Sequence, residues 1–200
     1  MPKSTFFRLN EKKRKKVDVA LIKEFSRVSF EKVSITNIIK EAEIPRGSFY
    51  QYFEDKEDAI NYIIKKVITV EYKKVSVILE EKKGDIFETF LYLYDYAIQE
   101  SKTKDKYKLA KNILLELRKR NINILNYDKN LLKDIIKLIN VENLRIKTEN
   151  DILYILKVLI IIIRTTIIEF VSGAKNIEES REETIKMMEL FKLGIQKNNI

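Results

Sequence analysis

The sequence predicts an all-α protein. Only four glycines and two prolines occur in 200 residues, which is few for the turns of a sheet protein. Lys, Glu, Leu and Ile are abundant and apolar residues recur at the spacing of one helix face. Because 45% of the residues are apolar and 34% are charged, the chain has the composition of a globular protein with a core. We expect about nine helices, with three in an N-terminal domain and the others in a C-terminal bundle.

The N-terminal helix is expected to follow a loose arm of residues 1–9. It should run from Glu11 to about Val28, because Val17, Ala20, Leu21, Ile22 and Phe25 form an apolar stripe. Its first six residues are charged, and five of them are basic. These cations are either phosphate contacts or a solvated helix end, and the pattern alone fits both.

Two short helices joined by a tight turn come next, over Ile35–Ala42 and Arg46–Phe53. Ser34 can cap the first by accepting a hydrogen bond from an amide of its opening turn. Phe49 and Phe53 are four residues apart and should point inward, which leaves Arg, Ser, Tyr and Gln side chains on the outer face. This arrangement predicts a helix-turn-helix of homeodomain-like type, which is a DNA-binding motif.

The same stretch carries a family pattern in register: Ile35, Ile38, Ala42, Ile44, Gly47, Phe49, Tyr50, Tyr52, Phe53, Asp55 and Lys56. It resembles the DNA-binding domain of the TetR family of transcriptional regulators, over about residues 10–60. Two positions depart from that pattern, since Glu43 stands at the usual turn glycine and Pro45 at the usual Ser or Thr cap. Glu43 must either bend the turn without a left-handed residue or adopt that conformation at some cost.

The second short helix is the candidate reading element. Arg46 and Gln51 are candidates for base edges, because Arg fits guanine O6/N7 and Gln fits adenine N6/N7. Gly47 would let the backbone approach DNA closely. The resemblance implies that Lys56, at the start of the next helix, binds a phosphate. The complete set of candidate DNA-binding residues is Thr36, Arg46, Gly47, Ser48, Tyr50, Gln51, Tyr52 and Lys56.

The charge distribution favours nucleic acid as the partner. The net charge is +9, and residues 1–56 hold 13 Lys or Arg against 8 Asp or Glu. Attraction to a membrane is the competing interpretation of basic charge. The N-terminus lacks the apolar run of a signal peptide, and the most apolar segment, Val158–Ile163, is too short to span a bilayer. We therefore expect a cytoplasmic protein without a membrane partner.

The composition also argues against an enzyme. The chain has no Cys and no His, which removes thiol chemistry, imidazole bases and the commonest zinc and iron ligands. Carboxylate, Lys or Tyr chemistry remains open, but no paired constellation and no glycine-rich phosphate loop stands out. We expect no catalytic residue, no cofactor and no metal site.

The rest of the chain is predicted to form a helical ligand-binding and dimerisation domain over residues 57–200, after a DNA-binding domain over residues 1–56. A helix capped by Asp55 should run to about Lys82 and belong to both domains. Gly84 and Gly173 mark helix ends. The remaining helices are expected over Asp85–Glu100, Asp105–Arg120, Asp128–Ile139, from Thr148 or Asn150 to Ser172, and Glu178–Lys197.

One segment of this domain, Ile152–Ile168, is apolar nearly all round. Such a helix is buried on several sides, either by a partner as well as its own chain or as the central core helix of a monomer. The resemblance implies a homodimer formed by the last two long helices as a four-helix bundle. The candidate interface residues are Leu159, Ile162, Ile163, Met188 and Phe191.

Aromatic residues in the middle region could line a small-molecule cavity or simply form the core. The resemblance implies that small, often hydrophobic or cationic molecules bind here. The candidate effector residues are Phe87, Phe90, Tyr94, Tyr107, Leu114, Tyr127 and Tyr154.

These observations lead to one functional hypothesis and two rivals. The hypothesis is a ligand-responsive repressor that binds a palindromic double-stranded operator as a homodimer and is released by a small-molecule effector. One rival is a helical interaction or adaptor protein with a vestigial DNA-binding head. The other is an all-α enzyme that processes small molecules, which the missing Cys and His disfavour.

Overall fold

The computed structural model describes residues 1–101, 103–122, 125 and 127–197. Within these residues the protein is all-helical, with one 3₁₀ turn at Phe30–Lys32 and one isolated antiparallel bridge between Leu144 and Gln196. The ten α-helices are α1 Ser4–Phe7, α2 Glu11–Arg27, α3 Ile35–Ala42, α4 Arg46–Tyr52, α5 Lys56–Glu81, α6 Ile86–Ser101, α7 Lys104–Lys119, α8 Lys129–Leu138, α9 Glu149–Val171 and α10 Ile177–Ile195.

The predicted fold class is confirmed, and nine of the ten helices were expected within a few residues of their observed bounds. The tenth is α1, where the prediction of a loose arm was wrong. Phe6 is fully buried, and its ring centroid lies 5.1 Å from those of Phe53 and Tyr62. Because a buried aromatic side chain contributes far more than the local propensity of four residues, this contact orders the N-terminus.

Two compact units make up the chain. The first contains residues 1–70 and the described residues of 103–127, and the second contains the described residues of 71–102 and 128–200. Helix α5 runs through both units, and α7 joins the first because it packs against α2. The predicted division into residues 1–56 and 57–200 concerns DNA binding and effector binding, and it remains a prediction.

The first unit is held together around α2, which packs against α3 and α7. The side-chain amide of Asn112 on α7 donates to the carbonyls of Phe25 and Val28, at 2.7 and 2.9 Å. These carbonyls lie at the C-terminal end of α2, where no intrahelical partner is available. Asn112 therefore completes the end of α2 and fixes α7 to it.

In the second unit, α6, α9 and α10 pack together around a buried series of hydrogen bonds. The hydroxyl of Tyr94 donates to Ser180 Oγ at 2.7 Å, and the hydroxyl of Ser180 donates to the carbonyl of Thr166 at 3.0 Å.

Of the two predicted starts for α9, the structure has Thr148, which forms a capping box with Asp151.

Gly84 follows the end of α5 in the chain and contacts the residues at the end of α8. Its φ is +81°, and a Cβ at this position would lie 2.6 Å from both the amide nitrogen of Asn140 and the carbonyl oxygen of Leu138. Its own carbonyl accepts a hydrogen bond from the Asn140 amide at 3.0 Å. Both the left-handed backbone and the close approach therefore require glycine here.

Candidate nucleic-acid interface

The turn between α3 and α4 forms around Glu43. Its φ of 54° and ψ of 45° place it in the left-handed region, so the second of the two expected alternatives is observed. The amide of Ile44 donates to the carbonyl of Ile39 at 3.2 Å, and that of Glu43 to Lys40 at 3.3 Å. This hydrogen-bond pair is a Schellman motif, which normally carries glycine at this position. The carboxylate of Glu43 accepts a hydrogen bond from Lys16 of α2, and this contact lowers the pKa of Glu43.

The start of α3 is fixed to α2 by the buried carboxylate of Glu24. It accepts hydrogen bonds from the Ser34 amide at 2.9 Å and from two nitrogens of Arg27 at 2.7 and 2.8 Å. The side-chain amide of Asn37 adds weaker contacts at 3.3 and 3.4 Å. Burial opposes ionisation of Glu24, but these donors outweigh it and hold the pKa of its carboxyl below the ordinary value. As predicted, the hydroxyl of Ser34 caps α3 by accepting from the Asn37 amide at 3.4 Å.

The inner face of α4 is aromatic. Phe49 and Phe53 are both fully buried, as predicted, and their ring centroids are 5.3 Å apart. Phe6 of α1 and Tyr62 of α5 complete the cluster around Phe53. A helix of two turns is marginal alone, so these contacts give α4 its position.

The C-terminal end of α4 is capped by the N-terminal segment. The Lys3 amide donates to the carbonyl of Tyr52 at 2.8 Å, and Lys3 Nζ donates to the carbonyl of Tyr50 at 2.9 Å. The hydroxyl of Thr5 donates to the carbonyl of Gln51. Three successive carbonyls that have no partner within α4 are satisfied in this way. Sequence reasoning missed this role because nothing in the local pattern links residues 3–5 to α4.

The outer face of α4 leaves the predicted DNA-binding side chains accessible. Arg46, Gly47, Tyr50 and Gln51 are exposed, Ser48 and Tyr52 are half-buried, and Thr36 is exposed on α3. A Cβ added to Gly47 would meet no atom within 4 Å, and its backbone is in an ordinary helical conformation. Packing within the chain therefore does not require glycine at this position, which is consistent with close approach by an external partner.

Lys56 lies beside the 3₁₀ turn that precedes α3. Its Nζ donates to the carbonyl of Glu31 at 3.0 Å, while the carboxylate of Glu31 accepts from Lys119 Nζ at 2.5 Å. The side chain of Lys56 is half-buried, so its ammonium group is positioned by the protein while still reaching the surface.

The excess of basic over acidic residues lies in the first unit, which contains α3 and α4. Residues 1–70 and 103–127 hold 22 Lys or Arg and 12 Asp or Glu, a net charge of +10. Residues 71–102 and 128–200 hold 17 Lys or Arg and 18 Asp or Glu, a net charge of −1. Half of the excess in the first unit comes from residues 103–127. The sequence alone did not indicate that the basic residues of α7 belong with residues 1–56, because only tertiary packing brings α7 against α2.

The seven candidate effector residues are divided between the two units. Tyr107, Leu114 and Tyr127 are half-buried in the first, while Phe87, Phe90 and Tyr94 are buried in the second. Tyr94 is fully buried with its hydroxyl satisfied by Ser180. Tyr154 is 64% exposed and lines a shallow cavity of about 240 Å³ at the ends of α9 and α10, with Arg145, Asp151, Ile155, Val158, Phe191 and Ile195.

A second shallow cavity, of about 350 Å³, lies on the α5–α6 surface and contains none of the predicted effector residues. Its lining combines two lysines with two tyrosines, and Lys74 Nζ lies 4.1 Å from the ring centroid of Tyr96.

The candidate interface residues on α9 and α10 are mostly turned into their own chain. Leu159, Ile162 and Met188 are already buried in the single chain, and Ile163 and Phe191 are half-buried. A different face of α9 and α10 remains exposed. Its exposed apolar residues are Tyr154, Ile161 and Ile168 on α9 and Met187, Leu190 and Leu193 on α10.

None of the helices in the described part of the chain combines the length and apolar character needed to cross a membrane.

Two family models match the chain. Residues 19–63 match the model described as bacterial regulatory proteins of the tetR family, and residues 85–195 match a tetracyclin repressor-like C-terminal domain. The first match covers the C-terminal half of α2, all of α3 and α4 and the start of α5, and the second extends from the start of α6 to the end of α10. The comparison with curated proteins gives no match.

Solved structures with the same fold include proteins of two bacteria. A TetR family transcriptional regulator from Chloroflexus aurantiacus J-10-FL is 20% identical with a TM-score of 0.51, and the alignment covers 99% of this chain and 100% of that one. The reduced form of NemR from E. coli is 14% identical with a TM-score of 0.53, and the alignment covers 92% of this chain and 100% of NemR. At these identities, the likeness supports the shared fold.

Proposed function

The chain belongs to the TetR family of bacterial regulatory proteins, and from that premise we propose that it is a homodimeric transcriptional repressor released from its operator by a small-molecule effector. Membership of the family makes it a DNA-binding regulator. Repression, the dimer and the effector are the proposed parts. Because a repressor acts on chromosomal DNA, the proposed location is the cytoplasm.

The observation that carries the proposal is the outer face of α4. Arg46 and Gln51 are exposed on a helix whose inner face and C-terminal end are fixed by packing and hydrogen bonds. A rigid helix with an accessible Arg and Gln can enter a major groove and read base edges. Ser48, Tyr50, Tyr52 and Lys56 would contact phosphates and set the register.

The proposed dimer uses the exposed apolar face of α9 and α10. Tyr154, Ile161 and Ile168 recur every seven residues, so they lie on one side of α9. Large apolar residues exposed on one side of a helix support an interface there. Two-fold symmetry of the dimer would then require a roughly palindromic operator, with half-sites about 34–36 Å apart or a multiple of that distance.

The proposed effector would act through α5, which runs continuously from Lys56 to Glu81. Its first turn carries a proposed phosphate contact, and its C-terminal half belongs to the unit that contains α6, α9 and α10. An effector changes DNA affinity only if it binds the two states of the dimer with different affinities. Phe87, Phe90, Tyr94, Tyr107, Leu114, Tyr127 and Tyr154 remain the proposed effector residues.

The test is selection of DNA by the purified full-length protein, followed by a salt titration on the selected duplex. We expect an enriched palindrome and an affinity that falls by about 10³–10⁵ between 50 and 200 mM salt if six to ten phosphates are contacted. A protein with no enriched sequence and no steep salt dependence would instead be the helical interaction protein.

A further inference from the structure

The last turn of α7 meets the first turn of α5 around Glu31. Lys119 Nζ lies 2.5 Å from Glu31 Oε1, and Lys56 Nζ lies 3.0 Å from the carbonyl oxygen of the same residue. Lys32 follows Glu31 in the chain and is exposed. Glu31 thus pairs with one ammonium group through its carboxylate and lies near two more, which leaves a local net charge of +2.

This cluster stands on a fixed support. Arg120, next to Lys119, is only 20% exposed and pairs with Glu57 of α5 at 2.5 Å and with Glu116 of α7 at 2.7 Å. It also donates to the side-chain oxygen of Asn61 at 2.6 Å. Because Glu57 follows Lys56 directly, these contacts hold the last turn of α7 beside the first turn of α5.

The cluster also lies close to the reading helix. Lys56 is four residues after Tyr52, the last residue of α4, so the intervening chain spans at most about 14 Å. Measured along the axis of B-DNA, where one strand carries a phosphate about every 3.4 Å, that distance corresponds to about four phosphates. The side chain of Lys119 is 60% exposed, so its ammonium group is accessible while it pairs with Glu31.

We propose that Lys119, with Lys56 and Lys32, forms a second phosphate-binding site that contacts DNA flanking the segment read by α4. This inference rests on the proposed DNA-binding function and adds α7 to the DNA-binding surface. Because the contacts of Arg120 with Glu57 and Glu116 already hold the end of α7, the main effect of the Glu31 charge is to repel the phosphate and lower DNA affinity. The ion pair between Glu31 and Lys119 lowers the pKa of Glu31 and raises that of Lys119, with their mutual hydrogen bond as the largest cause.

The experiment compares three full-length variants, Lys119→Gln, Glu31→Gln and Lys111→Gln, in salt titrations on the selected operator with long flanks. Lys111 is an exposed lysine on the same helix and serves as the matched control. We expect Lys119→Gln to make the slope of log affinity against log salt shallower by about 0.9 per subunit. Lys111→Gln should change the slope less, and Glu31→Gln should raise the affinity.

Comparing Lys119→Gln with Glu31→Gln distinguishes a phosphate-binding site from an ion pair that only stabilises the fold. If the contact between Lys119 and Glu31 only clamped α7, both Lys119→Gln and Glu31→Gln would lower the affinity, and the inference would be overturned. Equal slopes for Lys119→Gln and Lys111→Gln would also overturn it. A second arm uses duplexes trimmed to the palindrome, on which the effect of Lys119→Gln should disappear.

Failure of the proposed function gives a different result. In that case the unmutated protein itself would show no steep salt dependence on any duplex. If the unmutated protein binds its operator normally and only the Lys119→Gln comparison fails, the second phosphate site alone is rejected.

Discussion

The backbone amide of Lys3 donates a hydrogen bond to the carbonyl oxygen of Tyr52 at 2.8 Å and so joins the N-terminal segment to the last turn of α4. The side chains of Lys3 and Thr5 satisfy the two preceding carbonyls. Because α4 has only seven residues, its orientation depends on such contacts. The N-terminal segment is therefore part of the scaffold that presents Arg46 and Gln51.

Removing the Thr5 hydroxyl should disturb α4 without changing its sequence. Thr5→Val keeps the shape of the side chain but leaves the Gln51 carbonyl without this donor, at a cost of about 0.5–1 kcal/mol in the free energy of unfolding. We expect weaker operator binding at an unchanged sequence preference. Ser4→Ala, at an exposed neighbour, is the control and should stay within about 0.5 kcal/mol. Equal behaviour of both variants in denaturant titrations would argue against the capping role.

Arg46→Ala should reduce specificity rather than general DNA affinity. The exposed guanidinium at the start of α4 can bind one base pair bidentately, so its loss should cost about 1–3 kcal/mol on the operator. Preference should relax at one position in each half-site, as measured by competition among single-substitution duplexes. An equal loss on operator and random DNA would place Arg46 among the phosphate contacts instead.

Lys56→Ala should weaken binding to all sequences alike. Its ammonium group is held at the surface by the Glu31 carbonyl, so it can meet a phosphate but has no base contact to lose. The salt slope should become shallower by about 0.9 per subunit. A thermal melt checks that the fold survives, and a slope identical to that of the unmutated protein would contradict the assignment.

The stability of the first unit should fall in acid through Glu24. The folded-state pKa of this carboxyl is lowered, so its contribution to the free energy of unfolding is complete above the ordinary glutamate pKa and decreases below it. The contribution is lost entirely once the pH falls through the lowered pKa. Thermal unfolding from pH 7 to pH 3 should therefore show a steeper loss for the unmutated protein than for Glu24→Gln, which should be less stable at pH 7. Parallel curves would show that Glu24 is not the group responsible.

A charge on the exposed face of α9 should open the proposed dimer. Ile161 is 52% exposed in the single chain, so Ile161→Glu should leave the subunit folded but bury an unpaired carboxylate in the dimer. Sedimentation should show a mass shifted toward one subunit, of 23.8 kDa. Val77→Glu introduces the same charge at a residue of α5 with similar exposure, 54%, and should leave the mass unchanged. A single-subunit mass for the unmutated protein at micromolar concentration would reject the dimer.

Much of the fold was predictable because it depends on local periodicity. Apolar spacing of three and four gave nine helices close to their observed bounds, and Ser34 and Gly173 marked helix ends by their capping chemistry. Thr148 was one of two predicted starts for α9. The inward-facing pair Phe49 and Phe53 followed from the same spacing. Residues that face outward, such as Arg46 and Gln51, were predictable as the complement of that buried face.

The side of α9 that the rest of the chain leaves exposed was not predictable, because its sequence is apolar nearly all round. Leu159 and Ile162 were expected at an interface, but both are buried within the chain, and Ile161 is exposed instead. The packing of α6 and α10 against α9 decides which side of α9 is covered. A uniform apolar pattern contains no directional signal, so the assignment needs the packed neighbours.

The sequence by itself determined that this protein is all-α, that α3 and α4 form a helix-turn-helix and that its N-terminal quarter is basic, because spacing, capping and composition are properties of adjacent residues. Tertiary structure alone decided that Lys3 and Thr5 cap α4, that Glu43 takes the left-handed conformation beside Lys16, and that α7 adds its charge next to Lys56. These contacts join residues far apart in the chain. Their formation depends on how the helices pack, and local patterns do not encode that packing.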